Sequence, residues 1–379
     1  MDRAIRDRAH REGIAATQIA SLHDPDGVLS IYVGVEPGGD SGRRTAADIA
    51  VRNGLREMES AAEGWPADRR RLLSRRIEQL SGRLTDLVRS AAEGRGRALF
   101  VPLGEGDPLT VTLQVPLPDM VRLSGRAHIA PLIGALDETA PAGLVSVSRN
   151  RVRGVDLCWG RAEEVFGGDI EIDTGDWRTK EGPAGRRANP QSAAPQHDLF
   201  DRRLELRQAE SIAAAAEPLG ELAGRLCWDR IVVAGDPRMT TALADALAGG
   251  RVPVTEVAGK LDWTSAAALA DALGPGVVAQ RAEEWAAAID EAVAATAAGG
   301  AGAIGPEAIA PALEAGRVSR VFVDPDALPG DDADGVTAES AESLVRAALD
   351  TDAEAIVVRS QVLAARLHPH GGAVASLRW

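Results

Sequence analysis

Short β-branched runs alternate with longer helical stretches from one end of the chain to the other, which restricts it to mixed sheets covered by helices. Val28-Leu-Ser-Ile-Tyr-Val-Gly-Val35 is the first such run. A turn-like Pro37-Gly-Gly-Asp-Ser-Gly42 follows, then a helical stretch from about Thr45 to Ala92 that is interrupted near Gly64-Trp-Pro66. Strand-like Ala98–Pro102 and Leu109–Val115 complete a first α/β block, and Val121–Leu136, with Pro131 inside it, reads as an exit segment. The second block opens with Ala142–Arg149, Val152–Trp159 and Arg161–Phe166, separated by short turns as in an antiparallel meander. A polar loop from about Asp173 to Gln196 leads into helical periodicity over Leu199–Leu226, then strand Arg230–Ala234, helix Met239–Leu247 and strand Val252–Val257. The third block starts near Thr264, with a long helix over about Ala279–Ala297 and the glycine-rich Gly299–Gly305. Helix Pro306–Ala315, strand Val318–Val323, loop Asp324–Gly335, helix Ala338–Leu349, strand Ala355–Arg359 and a strand-like Gly372–Trp379 end it.

At 379 residues the chain exceeds what one hydrophobic core usually supports. The expectation is a multidomain α/β protein divided as 1–138, 139–260 and 261–379. Aromatic residues make up only 3%, so the cores must be built mainly from Ala, Val, Leu and Ile. The first residues are charged throughout, unlike a secretory signal, and no window is apolar enough to span a membrane. Cys158 and Cys227 lie far apart and lack CxxC spacing, as expected of reduced thiols in the cytoplasm. The net charge of −14 argues against a surface that coats nucleic acid, although it permits local basic patches. Neither a membrane nor DNA is an expected partner, and no cofactor is expected.

Motif by motif, the chemistry is sparse. Gly300-Ala-Gly-Ala-Ile-Gly305 satisfies GxGxxG, but a long Ala-rich helix precedes it where the dinucleotide fingerprint needs a strand. Gly235-Asp-Pro-Arg238 suits a strand-to-helix turn with Asp236 as N-cap, and less well an anion site. Asp331, Asp332 and Asp334 lack the spacing of a calcium loop. His368-x-His370 puts two imidazoles on one strand face with no third ligand nearby, so no metal site is expected. Arg69, Arg70, Arg71, Arg75 and Arg76 read as a solvated helix face, with an RNA-contacting face as the sharper alternative. No catalytic residue can be assigned, and an enzyme is the less favoured expectation.

The polar loop is the exception. Trp177–Gln191 holds Arg178, Lys180, Arg186 and Arg187 against the single acid Glu181, within a strongly acidic chain. Long loops in compact domains are usually functional or disordered. Guanidinium forks suit phosphate, and Gly182, Gly185 and the prolines let the backbone run close to a partner. Asn189, Gln191 and His197 add hydrogen-bonding groups, so the seven residues form a candidate RNA-contacting set.

Several phrases resemble the bacterial relatives of the archaeal/eukaryotic-type peptide release factor and Pelota superfamily. They are Arg95-Gly-Arg-Ala-Leu-Phe-Val101, Arg230-Ile-Val-Val-Ala-Gly-Asp236, Gly305–Val323 and Gly371-Gly-Ala-Val-Ala-Ser-Leu-Arg-Trp379. The resemblance implies an N-terminal α/β domain, a ribonuclease-H-like mixed-sheet middle domain and a C-terminal α/β/α sandwich of the ribosomal-protein-like, kink-turn-binding type. It also implies a ribosome-associated factor acting at the A site in rescue, stalling response or hibernation. Its partners would be rRNA, tRNA and a translational GTPase. Release factors carry Gly-Gly-Gln in the middle-domain loop, whereas here Gly185-Arg186-Arg187 stands in that neighbourhood and Gly-Gly-Gln occurs nowhere. Peptidyl-tRNA hydrolysis by that route is therefore not expected. Two other readings stay open. One is a metal-dependent nuclease or hydrolase on the middle domain, which would need clustered carboxylates around metals about 4 Å apart. The other is a protein–protein adaptor without RNA contact.

Overall fold

The computed structural model describes residues 16–35, 41–89, 93–148, 151–169, 207, 209–258, 265–328 and 340–379. They carry three sheets, distributed over two compact units. One unit combines Met1–Thr139 with Val278–Trp379, and the other is Ala140–Val277.

In the first unit, strands β1 (His23–Gly34), β2 (Gly96–Pro102), β3 (Leu109–Leu113) and β4 (Met120–Arg126) form an antiparallel sheet in the order β3-β2-β1-β4. Leu29, Ile31 and Val33 of β1 alternate with Ser30 and Tyr32, as the period of a strand requires. Their side of the sheet packs beneath helices Ser41–Ala61, Ala67–Gln79 and Ser81–Val88 through Val51, Leu55, Leu73 and Leu87. Arg97 is buried in β2 and donates to the carbonyls of Leu87 and Arg89, each at 2.7 Å. A guanidinium thus serves carbonyls that the end of helix Ser81–Val88 leaves without intrahelical partners.

The same unit holds a second sheet, in the order β10-β13-β11-β12, made of β10 (Gly302–Ile304), β11 (Val318–Val323), β12 (Glu354–Val357) and β13 (Ala373–Leu377). Strands β11 and β12 are parallel, and the other pairings are antiparallel. Helices Pro306–Glu314 and Ala341–Asp350 pack together against this sheet. Ile289, Ala292, Leu363 and Leu367 form a core with its Phe322, Ile356 and Val374.

The second unit carries β5 (Ala142–Ser148), β6 (Arg151–Cys158), β7 (Arg161–Asp169), β8 (Ile231–Gly235) and β9 (Val254–Ala258) in the order β7-β6-β5-β8-β9. The meander β5-β6-β7 is antiparallel, as its short turns require, while β8 and β9 run parallel to β5. Helices Ala216–Leu226 and Pro237–Leu247 share one core with Val145, Val147 and Val233. Leu269, Leu273 and Val277 share the other with Leu144, Val155 and Val232. The sheet is therefore covered on both faces.

Four expectations are corrected. The supposed exit segment is strand β4 followed by helix Ala130–Glu138, and Pro131 sits in the first turn of that helix, where a missing N–H is harmless. The long helix spans Ala266–Ala297, because Gly274-Pro275-Gly276 lies inside it rather than before it. His368–His370 is a 3₁₀ turn, not a strand, so its imidazoles do not share a strand face. It follows a helix, Gln361–Leu367, that the sequence pattern did not reveal.

Candidate functional site

All seven candidate RNA-contacting residues, Arg178, Lys180, Arg186, Arg187, Asn189, Gln191 and His197, lie outside the described residues, as do Asp331, Asp332 and Asp334. What the structure does describe is the scaffold on which the loop begins. Asp169 at the end of β7 pairs in register with Arg151, Arg151 with Ser148, and Val147 with Gly235. The segment after β7 therefore leaves from the sheet end that also carries the turn into helix Pro237–Leu247. Arg151 and Arg238 are exposed at that end.

The turn itself is tightly specified. Gly235 has φ +139°, and a Cβ there would come within 1.9 Å of the Val147 carbonyl oxygen. Asp236 is the N-cap, its carboxylate accepting from Arg238 N at 3.2 Å, as the Asp-Pro sequence suggests. That carboxylate occupies the end of the helix where an anion would have bound.

Asp156, an acid of β6 in the middle of this sheet, is engaged in packing. It is buried and accepts from Trp228 Nε1 at 2.6 Å. The Trp228 ring lies over Gly143, the register partner of Asp156, where an added Cβ would meet ring carbons at 2.3 Å. Among the described residues there is no group of three or more His, Cys, Asp or Glu able to hold a metal ion. Cys158 and Cys227 are not joined in a disulfide.

Of the candidate basic helix face, two arginines are committed to the fold. Arg69 stacks on Trp65 at 3.9 Å and donates to Asp26 O at 3.0 Å. Arg76 donates to Pro102 O at 2.9 Å. Arg70, Arg71 and Arg75 remain exposed.

A polar junction inside the first unit has no counterpart among the sequence expectations. Glu342, only 1% exposed, accepts from Ile129 N at 2.9 Å and from Ala130 N at 2.9 Å. A carboxylate from one helix thereby caps the N-terminus of helix Ala130–Glu138, where the dipole favours negative charge. Arg346, one turn further along, pairs with Glu342 at 2.8 Å and donates to Ala20 O at 3.0 Å and to Ala127 O. Tyr32, the only tyrosine, donates to His128 O at 2.5 Å, while Ser30 Oγ accepts from His128 N at 2.9 Å. Burial, then the charge of Glu342, pushes the Tyr32 hydroxyl well above its ordinary pKa, so it stays a neutral donor. Burial lowers the Arg346 pKa, and Glu342 opposes that shift. Beside this junction is a cleft of about 460 Å³ lined in part by Arg122, His128, Asp324, Glu342 and Arg359. Its charges serve the fold: Arg359 pairs with Glu138 at 3.0 Å, and Asp324 accepts from Asp326 N at 3.0 Å.

With this geometry in place, comparison with known proteins gives a match to part of the chain. Residues 128–273 match the family model described as bacterial archaeo-eukaryotic release factor family 10. No curated protein matches the sequence. Among solved structures, the archaeal translation termination factor aRF1 is 18% identical over 99% of this chain and 98% of its own, with a TM-score of 0.26. Archaeal Pelota, in a model of ribosome-bound Pelota and ABCE1, is 14% identical over 96% and 93%, with a TM-score of 0.43. Dom34 of S. cerevisiae is 10% identical over 76% and 74%, with a TM-score of 0.41. At such TM-scores none of them bears on the arrangement described above.

Proposed function

We propose that the protein is a ribosome-associated translation factor that occupies the A site without hydrolysing peptidyl-tRNA, in rescue, stalling response or hibernation. The observation that carries this reading is the family match over residues 128–273, because that segment contains the cationic loop. The order β7-β6-β5-β8-β9, with β6 antiparallel to its neighbours, supports a ribonuclease-H-like middle domain. A mixed four-stranded sheet packed with helices supports a ribosomal-protein-like last domain. In this reading Arg178, Lys180, Arg186, Arg187, Asn189, Gln191 and His197 contact rRNA or the tRNA end. A translational GTPase is a candidate partner, and the compartment in this reading is the cytoplasm. The acidic body limits indiscriminate RNA binding, whose strength scales with the phosphates neutralised. The nuclease reading is weakened by the engagement of Asp156 with Trp228.

The test is ribosome association of the purified full chain against its Arg186→Ala/Arg187→Ala variant across a salt series. The variant should bind more weakly, and its log–log salt slope should be shallower by about 0.7–0.9 for each phosphate it no longer neutralises. Equal affinity and slope in the two proteins would remove the loop from the interface.

A further inference from the structure

The cleft beside the polar junction carries a charge balance that the fold leaves open. Its volume of about 460 Å³ falls within the range of about 300–1,000 Å³ usual for small-molecule sites. Leu117, Pro131, Val357 and Ala364 give it an apolar lining, drawn from the first and last blocks of the one unit. Most of the charge around it is already spent. Glu342 is satisfied by Arg346 and two helix-terminal N–H groups, and His128 Nδ1 lies 3.4 Å from its Oε2. Arg359 pairs with Glu138 at 3.0 Å and donates to Pro116 O at 2.8 Å. Asp324 is different. It is only 3% exposed, yet it lines the cleft. Its Oδ1 accepts from Asp326 N at 3.0 Å, whereas Oδ2 accepts from nothing among the described residues, and no cation pairs with the carboxylate there. Asp326, exposed on the same lining, adds a second negative charge, and exposed Arg122 opposes them with one positive charge.

We infer that this cleft binds a small organic cation, an ammonium or guanidinium on a short aliphatic body, with Asp324 as its anchor. A buried carboxylate without a cation is costly, and a ligand that brings the cation removes that cost. The charged head donates to Asp324 Oδ2, and the aliphatic body lies on Leu117, Pro131, Val357 and Ala364. Other ligand classes fit less well. An anion would meet two carboxylates for one guanidinium outside an ion pair. A nucleobase would find no aromatic ring to stack on among the residues described around the cleft. A metal ion would lack ligands, because no group of three or more His, Cys, Asp or Glu able to hold one occurs among the described residues. This inference stands whether or not the translation reading does.

The test is isothermal titration calorimetry of the full chain at neutral pH and fixed ionic strength. The probes are n-butylguanidinium and n-pentylammonium, with valeramide and valerate as neutral and anionic controls. Both cations should bind, and neither control should. Asp324→Asn should weaken the cations about tenfold or more, the worth of a hydrogen bond to a charged group. Its amide oxygen can still accept from Asp326 N, so the turn is kept while the charge is lost. Ala364→Phe fills the cleft without touching the acid and should abolish binding, which keeps the test open should Asp324→Asn not fold. A parent that binds neither cation would overturn the inference, as would unchanged affinity in Asp324→Asn. So would a preference for valerate that is lost in Arg122→Ala. Binding of a blocked lysine peptide without binding of the free amine would also overturn it, in favour of a protein-docking groove.

Discussion

The unit of residues 140–277 and the unit formed by the first and last blocks are held together by different chemistry. In the former, a sheet is gripped on both faces by aliphatic side chains, and Trp228 fits against a bare glycine. In the latter, the first block is latched to helix Ala341–Asp350 by a buried carboxylate and a buried guanidinium. Apolar packing needs only complementary shape and is indifferent to pH. A buried ionic latch demands that every partner be present, because a charge left alone in the interior is far worse than no charge. The first design tolerates many sequences of the right volume. The second fixes which backbone atoms must meet.

Removing one partner of the latch should have the largest effect. Glu342→Ala strands Arg346 and two helix-terminal N–H groups, and should lower the unfolding free energy by about 3–5 kcal/mol in a denaturant titration. A loss no greater than that of an exposed ion pair would break the comparison.

A second test uses pH. Burial raises the Asp137 carboxyl from 3.8 to about 6. The folded state therefore keeps a proton that the unfolded chain has already lost. The resulting stabilisation is complete below the unfolded pKa of 3.8 and fades as pH rises through about 6. Relative to Asp137→Asn, the parent should lose roughly 3 kcal/mol in all between solution more acidic than the unfolded pKa and neutral solution. Parallel pH profiles for the two proteins would contradict this. No comparable dependence is expected from the apolar cores of the second unit.

The smallest effect belongs to those cores. Gly143→Ala drives a methyl into the Trp228 ring and should destabilise by about 1–3 kcal/mol, with a change in tryptophan fluorescence from the disturbed Trp228–Asp156 contact. A neutral substitution would mean that the ring moves aside freely.

The β-branched runs at Val28–Val35, Ala142–Arg149 and Val318–Val323 were legible because a strand's period survives in the residue order. The Asp-Pro cap at Asp236 was legible because its geometry is local. Pro131 misled because proline is disfavoured only in a helix interior, and Pro131 occupies a first turn. The Glu342–Arg346 pair was illegible because an acid and a base four residues apart look the same on a wet surface and in a core. Only the fold brings Ile129 and Ala130 to that carboxylate. The candidate loop was readable by charge composition alone, and its side-chain geometry lies outside the described residues.

The most direct measurement of the central claim is co-sedimentation of the purified full chain with ribosomes on sucrose gradients at two salt concentrations. The account predicts that the protein travels with the intact ribosome at low salt and is released at high salt, as phosphate-dominated binding requires. Protein that stays at the top of the gradient at both salts, with competent ribosomes and a translational GTPase present, would contradict it.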